Sequence, residues 1–211
     1  SGNYEKYIRT FYNHPAILMW ALGNEENFHP ERYNGQLDTW YKGLNKAAAH
    51  IHRIEDSLGG RKHPVTTAEG DIADLMENDA KNLKSVPEVD IWGFNAYRWS
   101  RPRGLVLHWN SMMSYFTDQG RSDLVKPMYI SETGTDSYDN DLKKEDEQTQ
   151  AETIAKIWED VAGYQELRKF LSGVVFFEFN DEPAKKDASI SNLGIVKDSF
   201  ANEDKFGLVN K

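Results

Sequence analysis

Five short apolar runs, each closed or followed by a carboxylate or amide, punctuate this chain: Ala16–Leu22, Val65–Ala68, Asp90–Ala96, Pro127–Ser131 and Gly173–Phe179. They recur at roughly 25- to 50-residue intervals, most of which hold a helical pattern, and that alternation predicts a parallel α/β sheet. Leu37–Ser57 sets Leu37, Trp40, Tyr41, Leu44, Ala47, Ala48, Ile51 and Ile54 at helical spacing before Gly59-Gly60 stops it. Gln148–Phe170 puts Ile154, Ile157, Trp158, Val161, Tyr164, Leu167 and Phe170 on one stripe. An opening helix over Tyr4–Tyr12 ends at Asn13-His-Pro15, because proline disfavours helix in the residue before it. Shorter helices are expected over Ile72–Leu83 and Leu107–Gln119. The strands are near-continuously apolar, as strands are when helices cover one face and a core fills the other.

Polar groups gather where these strands end: Asn24 and Glu25, Glu69, Asn95 and Tyr97, Glu132, Glu178 and Asn180. In barrel enzymes that edge carries the chemistry. Glu25 and Glu132 are the pair of most interest, because glycoside hydrolysis needs one protonated carboxylic acid and one ionised carboxylate. Their strands are the first and fourth of the five. In an open sheet, at about 4.8 Å per strand, they lie roughly 14 Å apart. The carboxyls are about 5–5.5 Å apart in a retaining enzyme and about 6.5–9.5 Å apart in an inverting one. Closure into a barrel brings them across a shared mouth, so the chemistry favours a barrel over a flat doubly wound sheet.

Composition removes several alternatives. Net charge is −9 and no basic cluster interleaves with aromatics, which argues against nucleic acid and against anionic membrane surfaces. No apolar run approaches the roughly 18–20 residues that span a bilayer. There is no cysteine, hence no disulfide frame and no thiolate metal site. That suits an oxidising compartment and leans the reading towards a secreted or periplasmic location. The six histidines show no paired ligand spacing, and no metal or other cofactor is expected. The chain opens at Ser1 without a signal peptide, so the expectation is a removed leader or a piece of a longer protein. Six Trp, ten Tyr and ten Phe supply core, with some free to stack on sugar faces.

Three motifs then carry a resemblance. His14-Pro-Ala-Ile-Leu-Met-Trp-Ala-Leu-Gly-Asn-Glu25 resembles the strand-4 signature of retaining glycoside hydrolases of the large (β/α)8 clan, nearest the β-galactosidase and β-glucuronidase family. Asp90-Ile-Trp-Gly-Phe-Asn-Ala-Tyr97 is similar to the strand-6 motif, and Pro127-Met-Tyr-Ile-Ser-Glu132-Thr-Gly to the strand-7 motif. The resemblance runs from about residue 4 to about residue 182. It implies Glu25 as acid/base, Asn24 on the sugar 2-hydroxyl, Tyr97 holding the nucleophile, and Glu132 as that nucleophile. It also implies that this chain supplies strands 4 to 8 of a TIM barrel. Residues 1–184 would then be the C-terminal portion of the catalytic domain, and 185–211 a polar tail wrapping the barrel or leading onward. Strands 1 to 3 are expected on a second chain, in a missing segment, or lost by cleavage.

The clan often floors its sugar subsite with a strand-8 tryptophan; here Phe177 or Phe179 would stand in. Candidate substrate-binding residues are Asn24, Asn95, Tyr97, Trp99, Phe177 and Glu178. Glu178, inside an apolar strand, either meets sugar hydroxyls or pairs with Arg98. Trp99 and Trp109 either line the groove or pack loops. Glu26 is the rival of Glu25, and in a continuing strand only one of the two faces the mouth. The expected activity is double-displacement hydrolysis of a β-linked glycoside or glycan. The alternatives are transglycosylation of β-glucan by the same pair and a non-catalytic carbohydrate-binding or assembly fragment.

Overall fold

The computed structural model describes residues 3–70, 82, 84–97, 110, 113–139, 141–163, 165, 167–182 and 203–209. The order is α1 (Tyr4–Phe11), β1 (Trp20–Asn24), α2 (Leu37–Leu58), β2 (Val65–Glu69), β3 (Ile91–Asn95), β4 (Met128–Thr133), a small hairpin of β5 (Tyr138–Asp139) and β6 (Lys144–Glu145), α3 (Glu147–Gly163) and β7 (Leu171–Phe176). Strands β1-β2-β3-β4-β7 form one five-stranded sheet in chain order, every pairing parallel, with β1 and β7 outermost.

Helix α2 buries Tyr41, Leu44, Ala48, Ile51, Ile54 and Glu55 on one stripe and ends at Gly59, whose φ of 66° lies in the left-handed region that glycine adopts freely. That stripe packs with Ile8 of α1 against Val65, Trp92, Phe94 and Met128 of the sheet. Trp92 and Phe94 are fully enclosed, and each such side chain contributes about 1.5–3 kcal/mol by leaving water. Alternation sends Thr66, Gly93 and Tyr129 to the other face. There a Cβ on Gly93 would lie 2.9 Å from the Tyr129 ring and 2.7 Å from the Thr67 carbonyl oxygen, so only glycine fits.

Several boundaries differ from expectation. The first strand is Trp20–Asn24 rather than Ala16–Leu22. The amides of Ala16 and Ile17 bond back to His14, which holds the chain in a turn, and pairing begins when Trp20 N–H reaches the Pro64 carbonyl at 2.9 Å. Leu18 is left 75% exposed. The long helix ends at Gly163, not Phe170, and the Arg168 guanidinium reaches back to the Ala162 carbonyl, satisfying a helix-end acceptor. Its expected core residue Trp158 is 57% exposed, whereas Ile157 is buried. The last strand is Leu171–Phe176, shifted towards the N-terminus from Gly173–Phe179. The charged stretch 136–150 contains the β5–β6 hairpin and the start of α3, where Asp146 accepts from the Thr149 amide and hydroxyl as a cap. Of the helix expected over 72–83 only Asn82 is described, and it is helical; of that expected over 107–119, residues 113–118 are helical.

Candidate active site

The site is built where β1, β3 and β4 end. Gly23, with φ 74°, turns the chain at a point where any Cβ would lie 2.5 Å from the Trp40 ring. Asn24 closes the strand, and Glu25 follows in the left-handed region with φ 53°. A non-glycine residue there costs about 1–2 kcal/mol. The Glu25 amide still bonds the Ala68 carbonyl of β2 at 2.7 Å, and its own carbonyl starts the short helical turn Glu26–Phe28. Asn27, in that turn, accepts from the Gly70 amide at 2.8 Å and ties the ends of β1 and β2 together.

The adjacent glutamates part company. Glu26 is bound by Arg32 at 2.9 Å and by the Tyr33 hydroxyl at 2.7 Å. Burial, then the Glu26 hydrogen bond, pushes the Tyr33 hydroxyl up to about 12. Glu25 instead receives a 2.9 Å hydrogen bond from the Asn95 amide group, which also donates to Asn24 Oδ1 at 3.2 Å. Asn95 is 2% exposed at the end of β3, and its oxygen accepts from the Ser131 hydroxyl at 2.7 Å. Asn95 therefore links β1 to β4 across its own strand, and it sits opposite Glu132 in the β3–β4 ladder. Two residues on, the Tyr97 hydroxyl donates to Glu132 Oε2 at 2.9 Å. The Ala96 amide bonds the Glu132 carbonyl at 2.8 Å, fixing the backbone beneath that carboxylate.

The remaining candidates are placed as follows. Phe177 is half-buried, its ring 5.9 Å from that of Phe206, while Phe179 is 70% exposed. Glu178 lies two residues beyond β7, and its main chain pairs with the segment around Phe206 and Leu208. Trp99, Arg98, His108 and Trp109 lie outside the described residues. Glu69 turns away from the mouth: it is fully buried against α2 and accepts from the Tyr41 hydroxyl at 3.1 Å. His29 bonds Glu31, and among the described residues no group of three His, Cys, Asp or Glu could hold a metal ion. No helix of the described residues is long and apolar enough to cross a membrane. Sequence reasoning passed over Ser131 and Phe206. Ser131, a hydroxyl in an apolar strand one residue before Glu132, was a usable signal; Phe206 offered none.

A five-stranded parallel βα sheet with glutamates at the ends of β1 and β4, held by polar side chains from the end of β3 and the residues just past it, is the class of architecture found in part of a (β/α)8 barrel. The chain belongs to glycosyl hydrolase family 2, whose TIM barrel domain matches residues 2–186. No curated protein sequence matches it. Among solved structures it is similar to a glycoside hydrolase family 17 β-1,3-glucanosyltransferase from Rhizomucor miehei, at 20% identity and TM-score 0.56, covering 97% of this chain and 64% of that one. It is similar to a family 2 β-galacturonidase from Eisenbergiella tayi at 17% identity and TM-score 0.56, covering 96% and 32%. A Bacteroides uniformis β-glucuronidase gives 19% identity and TM-score 0.55, covering 99% and 23%. At these identities the likeness is one of fold, and the chain spans less than two thirds of each of these proteins.

Proposed function

We propose that this chain carries the catalytic pair of a retaining β-glycosidase, with Glu25 as acid/base and Glu132 as nucleophile. The observation that carries the reading is the hydrogen-bonded set Glu25–Asn95–Ser131 with Tyr97–Glu132, which presents two carboxylates from different strands at one edge. In the first step the Glu132 carboxylate attacks the anomeric carbon, the glycosidic C–O bond breaks, and Glu25 gives its proton to the departing oxygen. In the second, water loses a proton to Glu25 and adds to the anomeric carbon, and Glu132 leaves as a carboxylate. Tyr97 holds Glu132 for attack, and Asn95 fixes the rotamer of Glu25. Asn24, exposed at the end of β1, meets a sugar hydroxyl in this reading. The commitment of Glu26 to Arg32 and Tyr33 supports Glu25 rather than Glu26 in the acid role. The same pair serves transfer to a sugar acceptor, as the name of the fungal glucanosyltransferase suggests, and product analysis separates the two outcomes: chain-lengthened sugars or release to water.

The outer edges of β1 and β7 receive, in this reading, a further segment or second chain that completes the barrel. Leu18 and Val175 are 75% and 52% exposed at or beside those edges, and uncovered apolar sheet edges invite pairing. The test is turnover of activated aryl β-glycosides by the species whose intact mass has been measured. Glu132→Ala is expected to abolish turnover, with azide restoring it as a glycosyl azide of inverted anomeric configuration. Unchanged turnover in that variant sinks the assignment.

A further inference from the structure

The tail residues 203–209 return to the catalytic edge, far in sequence from every residue of the site. Glu178 N–H bonds the Phe206 carbonyl at 3.2 Å, Leu208 N–H the Glu178 carbonyl at 3.0 Å, and Val209 N–H the Phe179 carbonyl at 3.2 Å. The segment is tied down on its other side too. The Lys205 carbonyl accepts from the Ser137 amide at 2.9 Å, Lys205 Nζ meets Glu145 at 2.8 Å, and Gln150 donates to the Gly207 carbonyl at 3.3 Å. Gly207 donates its amide to Asp181 at 2.8 Å where a Cβ would lie 2.1 Å from the Asp181 nitrogen. Between these anchors stands Phe206, 7% exposed, with its ring edge-on to Tyr97 at 6.0 Å and to Phe177 at 5.9 Å.

We propose that Phe206 is a positioning residue that acts on the nucleophile through Tyr97, which makes the 203–209 strap part of the catalytic machinery. The reading rests on the roles assigned above to Tyr97 and Glu132. Phe206 is too enclosed to stack on a sugar. Tyr97, 38% exposed, has a hydroxyl that must stay within hydrogen-bond reach of Glu132, and two side-chain torsions set where that hydroxyl lies. An edge-to-face aromatic contact restricts them at a cost no larger than the contact itself, about 0.5–1.5 kcal/mol. The strap needs no substrate contact to matter: one ring, held by main-chain hydrogen bonds on both sides, sets the direction of another.

The experiment is a ¹³C-carboxyl titration of Glu132, assigned by its loss in Glu132→Gln, in the full chain and in Tyr97→Phe, Phe206→Ala and the double variant. Removing a hydrogen bond from the charged form of a carboxylate raises its midpoint, and Tyr97→Phe is expected to raise that of Glu132 by about one pH unit. Phe206→Ala is expected to produce most of that rise alone and to add nothing to Tyr97→Phe. Phe206→Leu, which keeps apolar volume and covers the case that alanine does not fold, is expected to fall between. A Glu132 midpoint in Phe206→Ala or Phe206→Leu equal to that of the unmodified chain, or effects that add in the double variant, overturns the proposal. The titration reads coupling without turnover. Coupling in a protein that hydrolyses nothing would remove the glycosidase reading and leave the strap, and turnover with no coupling would do the reverse.

Discussion

Glu55→Ala strikes the end of the sheet opposite the glutamates, and its cost can be worked from the contacts. Glu55 is 1% exposed on α2. One carboxylate oxygen accepts from Trp20 Nε1 at 2.8 Å and from His63 Nδ1 at 2.6 Å; the other accepts from the His63 amide at 2.8 Å. Trp20 opens β1 and His63 lies two residues before β2, so one carboxylate sets the relative start of two strands. Alanine leaves three donors in a site closed to water. Each buried unsatisfied group costs about 1–3 kcal/mol, so leaving the Trp20 indole and both His63 donors without an acceptor costs about 3–5 kcal/mol, with each donor taken towards the lower end of that range. Set against a total stability of about 5–15 kcal/mol for a domain, the loss is a large share of the whole, with a fall in melting temperature on the order of 10 °C. Glu55→Gln keeps the shape and one acceptor oxygen, so its cost is expected near 1–2 kcal/mol, roughly one lost charge-assisted hydrogen bond. Urea unfolding followed by far-UV circular dichroism gives both values, and turnover per folded molecule is expected to stay within about twofold because the contacts lie at the N-terminal end of the strands. A Glu55→Ala variant within 1 kcal/mol of the parent, on the scale of a surface change, would refute the reasoning, since it would mean that the site opens to water or that Trp20 and His63 find other acceptors.

Two further outcomes are expected. Asn95→Ala removes the donor to Glu25 and the acceptor for Ser131 from a 2%-exposed position; steady-state kinetics should show kcat/KM down about 10- to 100-fold, the equivalent of one hydrogen bond to a charged group, and an unchanged kcat/KM would mean that Asn95 does not orient Glu25. Tyr33, held neutral by burial and by Glu26 up to about 12 against its usual 10.0, gives a stability contribution that is full below pH 10 and lost as pH rises through about 12; Tyr33→Phe should flatten the fall in urea midpoint across that window, and an unaltered fall would assign it to other groups.

Which features the sequence could announce follows from how local their causes are. Helix α2 was readable because its stripe, its length and the closing Gly59 all lie within one segment. The five parallel strands were readable from their alternation with helical intervals, which topology rules turn into a parallel sheet. The start of β1 was not, because Ile17 and Leu18 are as apolar as any strand residue and only the backbone turn at His14 keeps them out of the ladder. Trp158 was misplaced for a related reason: a stripe says which residues share a helix face, not whether anything covers it. At the site, Glu25 and Glu132 stood out through their motifs, which also favoured Glu25 over Glu26, while the contacts of Glu26 with Arg32 and Tyr33 are ones a sequence shows only as neighbours. Phe206 lies in a polar tail, and nothing local marks an aromatic there as the neighbour of Tyr97.

Strands β1 to β4 pair regularly among themselves until they reach the chemistry, with β7 alone shifting earlier, between Met128 and Ile130, and the departures at the site explain how the carboxylates come to face the same edge. In β4, Met128 and Ile130 are buried residues of one parity and Ser131 reaches Asn95 from the other. By alternation Glu132 should follow Ile130 towards the helices, yet its carboxylate meets Tyr97. The β3–β4 ladder shifts register between Phe94 and Asn95, and the β4–β7 ladder between Ile130 and Thr133, so the turn in direction falls at Glu132 itself. In β1, Trp20 and Leu22 pack towards the helices, and Asn24 should do the same. Instead it bonds Asn95, after a register shift between Ala21 and Asn24 and a left-handed Gly23. Both strands that carry a proposed catalytic glutamate therefore break period within two residues of it. A regular strand would have buried a carboxylate against α2, where Glu69 of regular β2 does lie, bonded to Tyr41. Irregularity at the ends of β1 and β4 is thus what separates a carboxylate available to substrate from one spent on the fold.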